Sequence, residues 1–302
     1  TAAVSSKVQG SRFKVSTGNE SMSSTYRTAR VGDLDIHYDL ADYTVPWRET
    51  APETILLYHG YARNMLFWRP WVPLLAADYR VLWFDARGCG ETTKPPAGSR
   101  MSFSQLAGDA IGLMDKLGIE RVHWVGESSG GIVGMTAALE HAKRLSTLTL
   151  CDTPFKRSSN IQTTYTLGEA TRAAAFDKYG VGGWCRQTLS YRLDTTKASP
   201  ALCEWYIAQM DRTPKHCANA MDAAVAEGDA WPRLPEIKTP TLILSGSKSP
   251  IAQEAEVKAM QSRMPAAKLV AFEGYGHGVN MTAPERCVSE LRKFLAAQRK
   301  QR

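Results

Sequence analysis

The sequence predicts an α/β protein in which a mostly parallel sheet is covered by helices on both faces. Short runs rich in β-branched and aromatic residues recur along the chain, and helical patterns separate most of them. The alternation stops between Phe155 and Pro240, where helical patterns continue without a convincing strand. Strands that alternate with helices form parallel sheets, because each parallel connection must cross a face of the sheet.

Seven runs are predicted to be strands. Several are apolar throughout, which is typical of parallel strands that are buried on both faces. The predicted strands are residues 33–38, 54–58, 80–84, 121–125, 145–151, 241–245 and 268–272.

Four helices are predicted between and after these strands. They are residues 103–118, 130–142, 253–264 and 284–298. The last one starts with a proline in its first turn and places Val288, Leu291 and Leu295 on one face, which indicates an amphipathic helix.

The chain divides into an arm, a core and an insertion. Residues 1–30 are rich in Ser and Thr without a hydrophobic period, so we predict a flexible arm and expect order from Val31. Residues 31–154 and 236–302 form the predicted α/β core. Residues 155–235 are too long for a simple loop, and their helical patterns predict a cap over one edge of the sheet.

Charge and hydropathy exclude some classes of protein. The net charge is +7, but the only dense basic stretch is Arg299–Arg302, so we expect no nucleic-acid partner and a mild attraction for anionic substrates. No apolar stretch reaches the roughly 18 residues that span a bilayer, so we expect no membrane association. The sequence leaves the oligomeric state open.

The cysteines bear on metal binding and on cellular location. Six cysteines are scattered without the paired spacing of a zinc site, so no metal is expected. Because cytosolic disulfides are rare and these thiols have apolar neighbours, we predict a cytoplasmic protein. The chain starts at Thr1 rather than Met, so an exported protein whose signal peptide has been removed is the alternative.

The stretch from Gly126 to Gly130, Gly-Glu-Ser-Ser-Gly, follows a predicted strand and opens a predicted helix. In this setting a sharp turn lifts a serine hydroxyl out of the sheet, where it can act as a nucleophile. The register selects Ser128, because Ser129 would need glycine at position 127 and the chain has Glu127 there. The alternative is a serine that merely caps the helix.

Two further stretches complete a candidate site. His59-Gly60-Tyr61 ends an earlier strand, where a turn can aim a backbone N–H at the point reached by the N–H of Ser129. His59 itself is expected to be structural. His277 lies in a glycine-flanked loop before the final helix, and imidazole has a suitable pKa to accept a serine proton near neutral pH. The alternative for His277 is an ordinary surface-loop histidine.

The sequence resembles the α/β-hydrolase family over nearly its whole length from Val31, and within it the capped esterase and lactonase branch that includes 3-oxoadipate enol-lactonase. The resemblance implies Ser128 as nucleophile, His277 as base, the amides of Ser129 and Tyr61 as oxyanion hole, and no cofactor. The matching landmarks are HGYARNMLFWRPWVPLLAADYRVLWFDARGCGET, GDAIGLMDKLGIERVHWVGESSGG, TPTLILSG and EGYGHGVNMTAPERCVSELRKFL.

The sequence departs from the family at two positions. Cys89 stands where relatives usually carry His, which should affect packing more than chemistry. Ser249 stands where the family usually places the carboxylate of the triad. We predict that Asp152, one strand earlier, replaces it, since some members of the fold take their acid from that position and the chain order Ser, acid, His is kept.

Other roles for the carboxylates remain open. The alternative for Asp152 is that it only caps the exit of the chain into the cap segment. Three glutamates are weaker candidates for the acid: Glu127 within the serine motif, Glu254 on a predicted helix and Glu273 in a glycine turn.

The predicted reaction is hydrolysis of a small carboxylic ester or lactone through an acyl-enzyme. A serine at the turn excludes the dehalogenases and epoxide hydrolases of the fold, which need Asp there. Alternatives are hydrolysis of a carbon–carbon bond in a diketone or dienoic acid, and a receptor or binding protein with weak turnover. We predict that Arg63 meets a substrate carboxylate, with an ordinary solvated arginine as the alternative, and that three aromatic side chains line the pocket: Phe155, Trp184 and Trp205. The aromatic side chains have the alternative of forming the core of the cap.

Overall fold

The computed structural model describes residues 26–156 and 159–300, with an eight-stranded sheet at its centre. Its strands are Arg27–Val31 (β1), Leu34–Ala41 (β2), Thr54–Tyr58 (β3), Arg80–Phe84 (β4), Val122–Glu127 (β5), Leu145–Cys151 (β6), Thr241–Gly246 (β7) and Ala267–Phe272 (β8). Their order across the sheet is β1-β2-β4-β3-β5-β6-β7-β8. β1 and β2 are antiparallel to their neighbours, and β3 to β8 are parallel.

The parallel strands carry a core on each face of the sheet. Every residue of β3, β5 and β7 is buried, which is why these strands are nearly free of charged residues. Alternate residues point to opposite faces, so Leu56 and Trp124 join one apolar cluster while Ile55 and Val125 join the other. All seven predicted strands are present, and the predicted fold class is confirmed.

The first strand was missed by the sequence analysis. β1 lies within the predicted flexible arm, and its backbone pairs with β2 from Arg27 opposite Tyr38 to Val31 opposite Leu34. The prediction that order begins at Val31 is therefore wrong for residues 27–30. β1 is an edge strand in which only Ala29 is fully buried, so its sequence carries no apolar run that would reveal it. Residues 1–25 of the predicted arm lie outside the described residues.

The helices cover both faces of the sheet and fill the insertion between β6 and β7. They are Val72–Leu75 (α1), Phe103–Lys116 (α2), Ser129–Glu140 (α3), Ser159–Thr166 (α4), Arg172–Gln187 (α5), Leu189–Arg192 (α6), Pro200–Asp211 (α7), Lys215–Glu227 (α8), Glu254–Arg263 (α9), Val279–Thr282 (α10) and Pro284–Lys300 (α11). Gly180, with φ 68°, interrupts α5 with non-helical backbone dihedrals. In the described part of the chain, no helix is both long and apolar enough to cross a membrane.

Helices α4 to α8 occupy the predicted cap segment, and an isolated bridge between Lys156 and Asp229 joins its two ends. Cys89, which replaces the usual histidine, is fully buried with its Sγ 3.9 Å from the Sδ of Met221 on α8. The position therefore packs the core against this segment. The boundaries of the cap as a separate domain stay a prediction.

Candidate active site

Ser128 lies at a strained turn between β5 and α3, with φ 52° and ψ −122°. A positive φ in a non-glycine residue costs about 1–3 kcal/mol and is typical of functional sites. The turn is tight because α3 starts close against the loop that follows β3. A Cβ on Gly126 would lie 2.4 Å from the carbonyl oxygen of Gly130, and one on Gly130 would lie 2.4 Å from that of His59. The two glycines of the motif are therefore sterically required.

The predicted oxyanion residues lie in the wall of the same cavity as Ser128. Ser129 is the first residue of α3, where backbone N–H groups have no partner within the helix and carry a partial positive charge. Tyr61 also lines the cavity, and its hydroxyl donates to the carbonyl oxygen of Ala218 at 2.9 Å. The Tyr61 ring is thus held by α8.

His59 is structural, as expected. Its Nε2 accepts a hydrogen bond from the backbone N–H of Ala86 at 2.9 Å, so its Nδ1 carries the proton and donates to the carbonyl oxygen of Gly60 at 2.9 Å. Both ring nitrogens are engaged, and burial lowers the pKa of the imidazole. His59 fixes the loop that carries Tyr61.

His277 is fully buried and lies in the cavity wall with Ser128. Its Nδ1 is 3.1 Å from the Oγ of Ser249, which also accepts a hydrogen bond from the N–H of Ala252 at 3.1 Å. With Ser249 accepting from Nδ1–H, the lone pair of Nε2 is left for a serine proton. Nε2 has no hydrogen-bond partner among the described residues.

The surroundings of His277 disfavour its charged form. Burial, followed by the positive charges of Arg63 and Arg192, lowers its pKa well below the usual 6.5. Ser249 can hold the tautomer of the imidazole, but its neutral hydroxyl offers no charge to stabilise an imidazolium. Ser249, at the position where the family usually has the acid, therefore orients the imidazole of His277 but carries no negative charge.

The predicted contact of Asp152 with His277 is wrong. The Asp152 carboxylate accepts instead from the N–H groups of Gly246 at 2.8 Å, Gly278 at 2.7 Å and Val279 at 2.8 Å, and from the hydroxyl of Ser245 at 3.3 Å. Asp152 does lie at the end of β6, as the sequence indicates. Its oxygens are taken by backbone donors of the two loops beside it, which a sequence cannot reveal.

Asp152 instead fastens the loop that carries His277 to the end of β7. One carboxylate oxygen bonds β7 at Gly246, and the other bonds Gly278 and Val279 directly after the histidine. Asp152 itself has a positive φ of 45°. Complete burial raises its pKa to about 6, although the three backbone donors lower it.

Glu127 is the carboxylate that comes nearest to His277 among the described residues. Its Oε1 lies 3.6 Å from Nε2 of His277, while Oε2 forms a buried ion pair with Arg63. Glu127 therefore faces Nε2 of His277, and the positive charge of Arg63 balances its own charge. Of the other candidate acids, Glu254 pairs with Lys258, and Glu273 is exposed and accepts from Ser247.

Most of the predicted substrate-binding residues lie elsewhere. Arg63 lines the cavity, but Phe155, Trp184 and Trp205 are absent from its wall. Phe155 packs on Trp231, Trp184 on Tyr165 and Phe176, and Trp205 on Phe67. These predictions are wrong because the rings pack the interior of the insertion and, through Trp205 on Phe67, join the insertion to the core.

Two arginines that the sequence analysis did not single out do line the cavity. Arg172 on α5 pairs with Asp222 at 2.5 Å, and Arg192 at the end of α6 lies 4.0 Å above the ring of Trp184. Both are buried. Arginines within predicted helices that are also rich in aromatic residues were the available signal, but an arginine on a solvated face gives the same pattern.

The insertion also supports the histidine loop. The N–H of Asp194 donates to the carbonyl oxygen of His277 at 2.8 Å, and its carboxylate accepts from the N–H of Gly276 at 2.7 Å. Asp194 lies two residues after Arg192, the last residue of α6, so Arg192 and His277 are connected through a short segment. The insertion therefore contributes to the geometry of the site as well as to its cover.

The comparisons with known proteins agree with this architecture. The family model for the alpha/beta hydrolase fold matches residues 53–284. This chain belongs to the α/β-hydrolase family, and it is a hydrolase. It is 25% identical over 257 residues to the "Putative carbamate hydrolase RutD" of Caulobacter sp. strain K31, covering 82% of this chain and 91% of that protein.

Two further relatives span most of the chain. The 2-hydroxy-6-oxononadienedioate/2-hydroxy-6-oxononatrienedioate hydrolase 2 of Pseudomonas putida is 27% identical over 271 residues, covering 86% of this chain and 91% of that protein. The crystal structure of the enol-lactonase from Burkholderia xenovorans LB400 superposes with a TM-score of 0.79 at 25% identity, covering 89% of this chain and all of that one. The resemblance to the family is confirmed, while the bond that this chain cleaves is not fixed by it.

Proposed function

We propose that the protein is a serine hydrolase that cleaves a small carboxylic ester or lactone through an acyl-enzyme. The observation that carries the proposal is that the strained Ser128, just before the first residue of α3, lines the same cavity as His277. Nε2 of His277 forms no hydrogen bond with the described residues. A serine hydroxyl that shares a cavity with a buried imidazole, at the first turn of a helix, has the elements of acyl transfer.

The proposed mechanism assigns one role to each of these groups. His277 Nε2 takes the proton of Ser128 as Oγ attacks the carbonyl carbon, and the N–H groups of Ser129 and Tyr61 hold the oxyanion. The proton then passes to the leaving alkoxide as the ester bond breaks, which leaves an acyl group on Ser128. Water, deprotonated by the same imidazole, releases the acid and restores the serine.

A fluorophosphonate probe tests the nucleophile directly. We expect labelling of wild type at Ser128, none of Ser128→Ala, and nearly unchanged labelling of the matched control Ser129→Ala. Loss of labelling in Ser129→Ala with full labelling of Ser128→Ala would contradict the assigned register. An unlabelled wild type that hydrolyses no ester or lactone would reject the proposal and leave a receptor or binding role.

Hydrolysis of a carbon–carbon bond in a diketone or dienoic acid is the second candidate. It is favoured by the Pseudomonas putida relative, whose name gives a hydroxy-oxo-dienedioate as substrate. Parallel assays with 4-nitrophenyl esters and with a vinylogous diketone acid separate the two. A kcat/KM at least tenfold higher for the diketone would replace the ester assignment.

A further inference from the structure

The charge balance of the cavity singles out Arg192. The structure describes four buried arginines, and three of them have carboxylate partners: Arg63 with Glu127, Arg87 with Asp33 and Asp109, and Arg172 with Asp222. Arg192 is 3% exposed and has no carboxylate within 4.0 Å among the described residues. A buried charge without a counterion is costly, so it calls for a ligand or a functional reason.

The contacts of Arg192 hold its guanidinium without neutralising it. Nε donates to the hydroxyl of Thr188 at 3.2 Å, and the group lies 4.0 Å above Trp184 and 4.7 Å from the ring centre of Tyr165. These rings partly compensate the charge by cation–π attraction. No other hydrogen bond from the guanidinium is formed with the described residues, so its Nη donors stay available for a planar, two-oxygen acceptor.

The rest of the cavity favours the same charge. Besides Arg192, its wall contains Arg63, Arg172 and Lys156, and no acidic residue among those described. Arg63 and Arg172 already have carboxylate counterions, which leaves Arg192 as the arginine of the described cavity wall whose buried charge is not balanced by an acidic side chain. An anion there lies in the same cavity as Ser128 and His277.

We infer that Arg192 is the anchor for a carboxylate carried by the substrate at the end remote from the scissile bond. This inference rests on the proposed function and adds the substrate class, an acidic ester or lactone. Trp184 and Tyr165 keep the guanidinium plane fixed, so little side-chain entropy is lost when the carboxylate binds.

Two matched esters test the assignment. 4-Nitrophenyl hydrogen glutarate and 4-nitrophenyl pentanoate differ by a carboxylate in place of a terminal methyl. With the uncatalysed rate subtracted, we expect wild type to prefer the glutarate ester in kcat/KM. Removal of the Arg192 charge also changes the surroundings of His277 for both esters, so the ratio between the esters is the readout. Arg192→Met should lower the ratio of kcat/KM for the glutarate ester to kcat/KM for the pentanoate about a hundredfold, as loss of a buried charge partner does.

Arg186→Met is the matched control, because Arg186 is exposed on the same insertion and pairs with Glu204. It should leave both esters unchanged. Equal losses on both esters in Arg192→Met, or a wild type that does not distinguish the esters, would overturn the inference.

The melting temperature of Arg192→Met should equal or exceed that of wild type, because an unpaired buried charge is removed. A lower one would indicate a structural arginine.

A binding experiment separates this inference from the proposed function. Glutarate should raise the melting temperature of Ser128→Ala, glutaramide should not, and adding Arg192→Met should remove the glutarate effect. An equal shift with inorganic phosphate would overturn the carboxylate assignment in favour of an unspecific anion site. If no ester is turned over and Ser128 is not labelled, yet glutarate still binds through Arg192, the proposed function fails while the anion site stands.

Discussion

Replacing Ser249 by aspartate should increase the rate of the chemical step. Ser249 is 4% exposed, and its Oγ lies 3.1 Å from Nδ1 of His277 and from the N–H of Ala252. In Ser249→Asp, one carboxylate oxygen can accept from each of these donors. The imidazolium that forms when Ser128 is deprotonated would then face a negative charge in place of a neutral hydroxyl.

The size of the gain follows from the surroundings. Two unit charges 4 Å apart attract by about 4 kcal/mol at an effective dielectric constant near 20, which corresponds to about a thousandfold in rate. Arg63 and Arg192, whose charges already lower the pKa of His277, would attract the same carboxylate and reduce its effect. We therefore expect kcat to rise about a hundredfold, below the roughly 10⁴ that an Asp-to-Asn change costs in a comparable triad.

The assay measures kcat and kcat/KM on one ester across pH, and the rate of fluorophosphonate labelling where turnover is slow. Because the pKa of His277 lies well below 6.5, the acid limb of the wild-type profile should fall below pH 6.5. The new carboxylate favours imidazolium, so in Ser249→Asp this limb should move to higher pH.

Ser249→Asn, of similar size but uncharged, is the control and should give no gain. Since burying a new carboxylate costs stability, melting temperatures must show that both variants are folded. A folded Ser249→Asp that is no faster than Ser249→Asn would refute the reasoning that a missing charge at Nδ1 of His277 limits the rate.

Three further predictions concern the loops of the site. Ser128→Ala should lower kcat on the order of a millionfold in ester assays while Ser129→Ala loses far less, and Ser128→Gly should unfold at higher temperature than Ser128→Ala because glycine relieves the strain at φ 52°. The pKa of Asp152 rises from 3.8 to about 6 on folding, so its contribution to the free energy of unfolding is complete below pH 4 and is lost as pH rises through 6. Urea unfolding should accordingly show the advantage of wild type over Asp152→Asn shrinking by about 3 kcal/mol between pH 4 and 7, and a constant difference would contradict this. Asp194→Ala should lower kcat about tenfold by loosening the His277 loop, and Asp194→Asn, which keeps an acceptor for the N–H of Gly276, should recover most of it.

The sequence determined the parts of the protein that rest on local pattern. Runs rich in β-branched and aromatic residues predicted seven strands, and several of these runs are continuously apolar because both faces of a parallel strand are buried. The position of Ser128 between a strand and a helix, with Gly126 and Gly130 nearby, predicted the turn. Steric crowding at these two glycines leaves no room for a Cβ atom. The edge strand β1 escaped because its backbone pairing with β2 requires no apolar sequence.

The tertiary structure decided which side chains meet. Asp152 and Ser249 both follow strands that end at the same edge of the sheet, so the sequence alone could not tell which one reaches His277. In the structure, Nδ1 of His277 is hydrogen-bonded to Ser249, and the Asp152 carboxylate accepts from backbone N–H groups. Likewise, Arg192 and Arg186 both lie in helical patterns of the insertion, and only the fold distinguishes them. Arg192 is buried over the ring of Trp184, whereas Arg186 is exposed and pairs with Glu204. Hydrogen bonds and ion pairs are directional contacts between distant segments, and no local pattern specifies them.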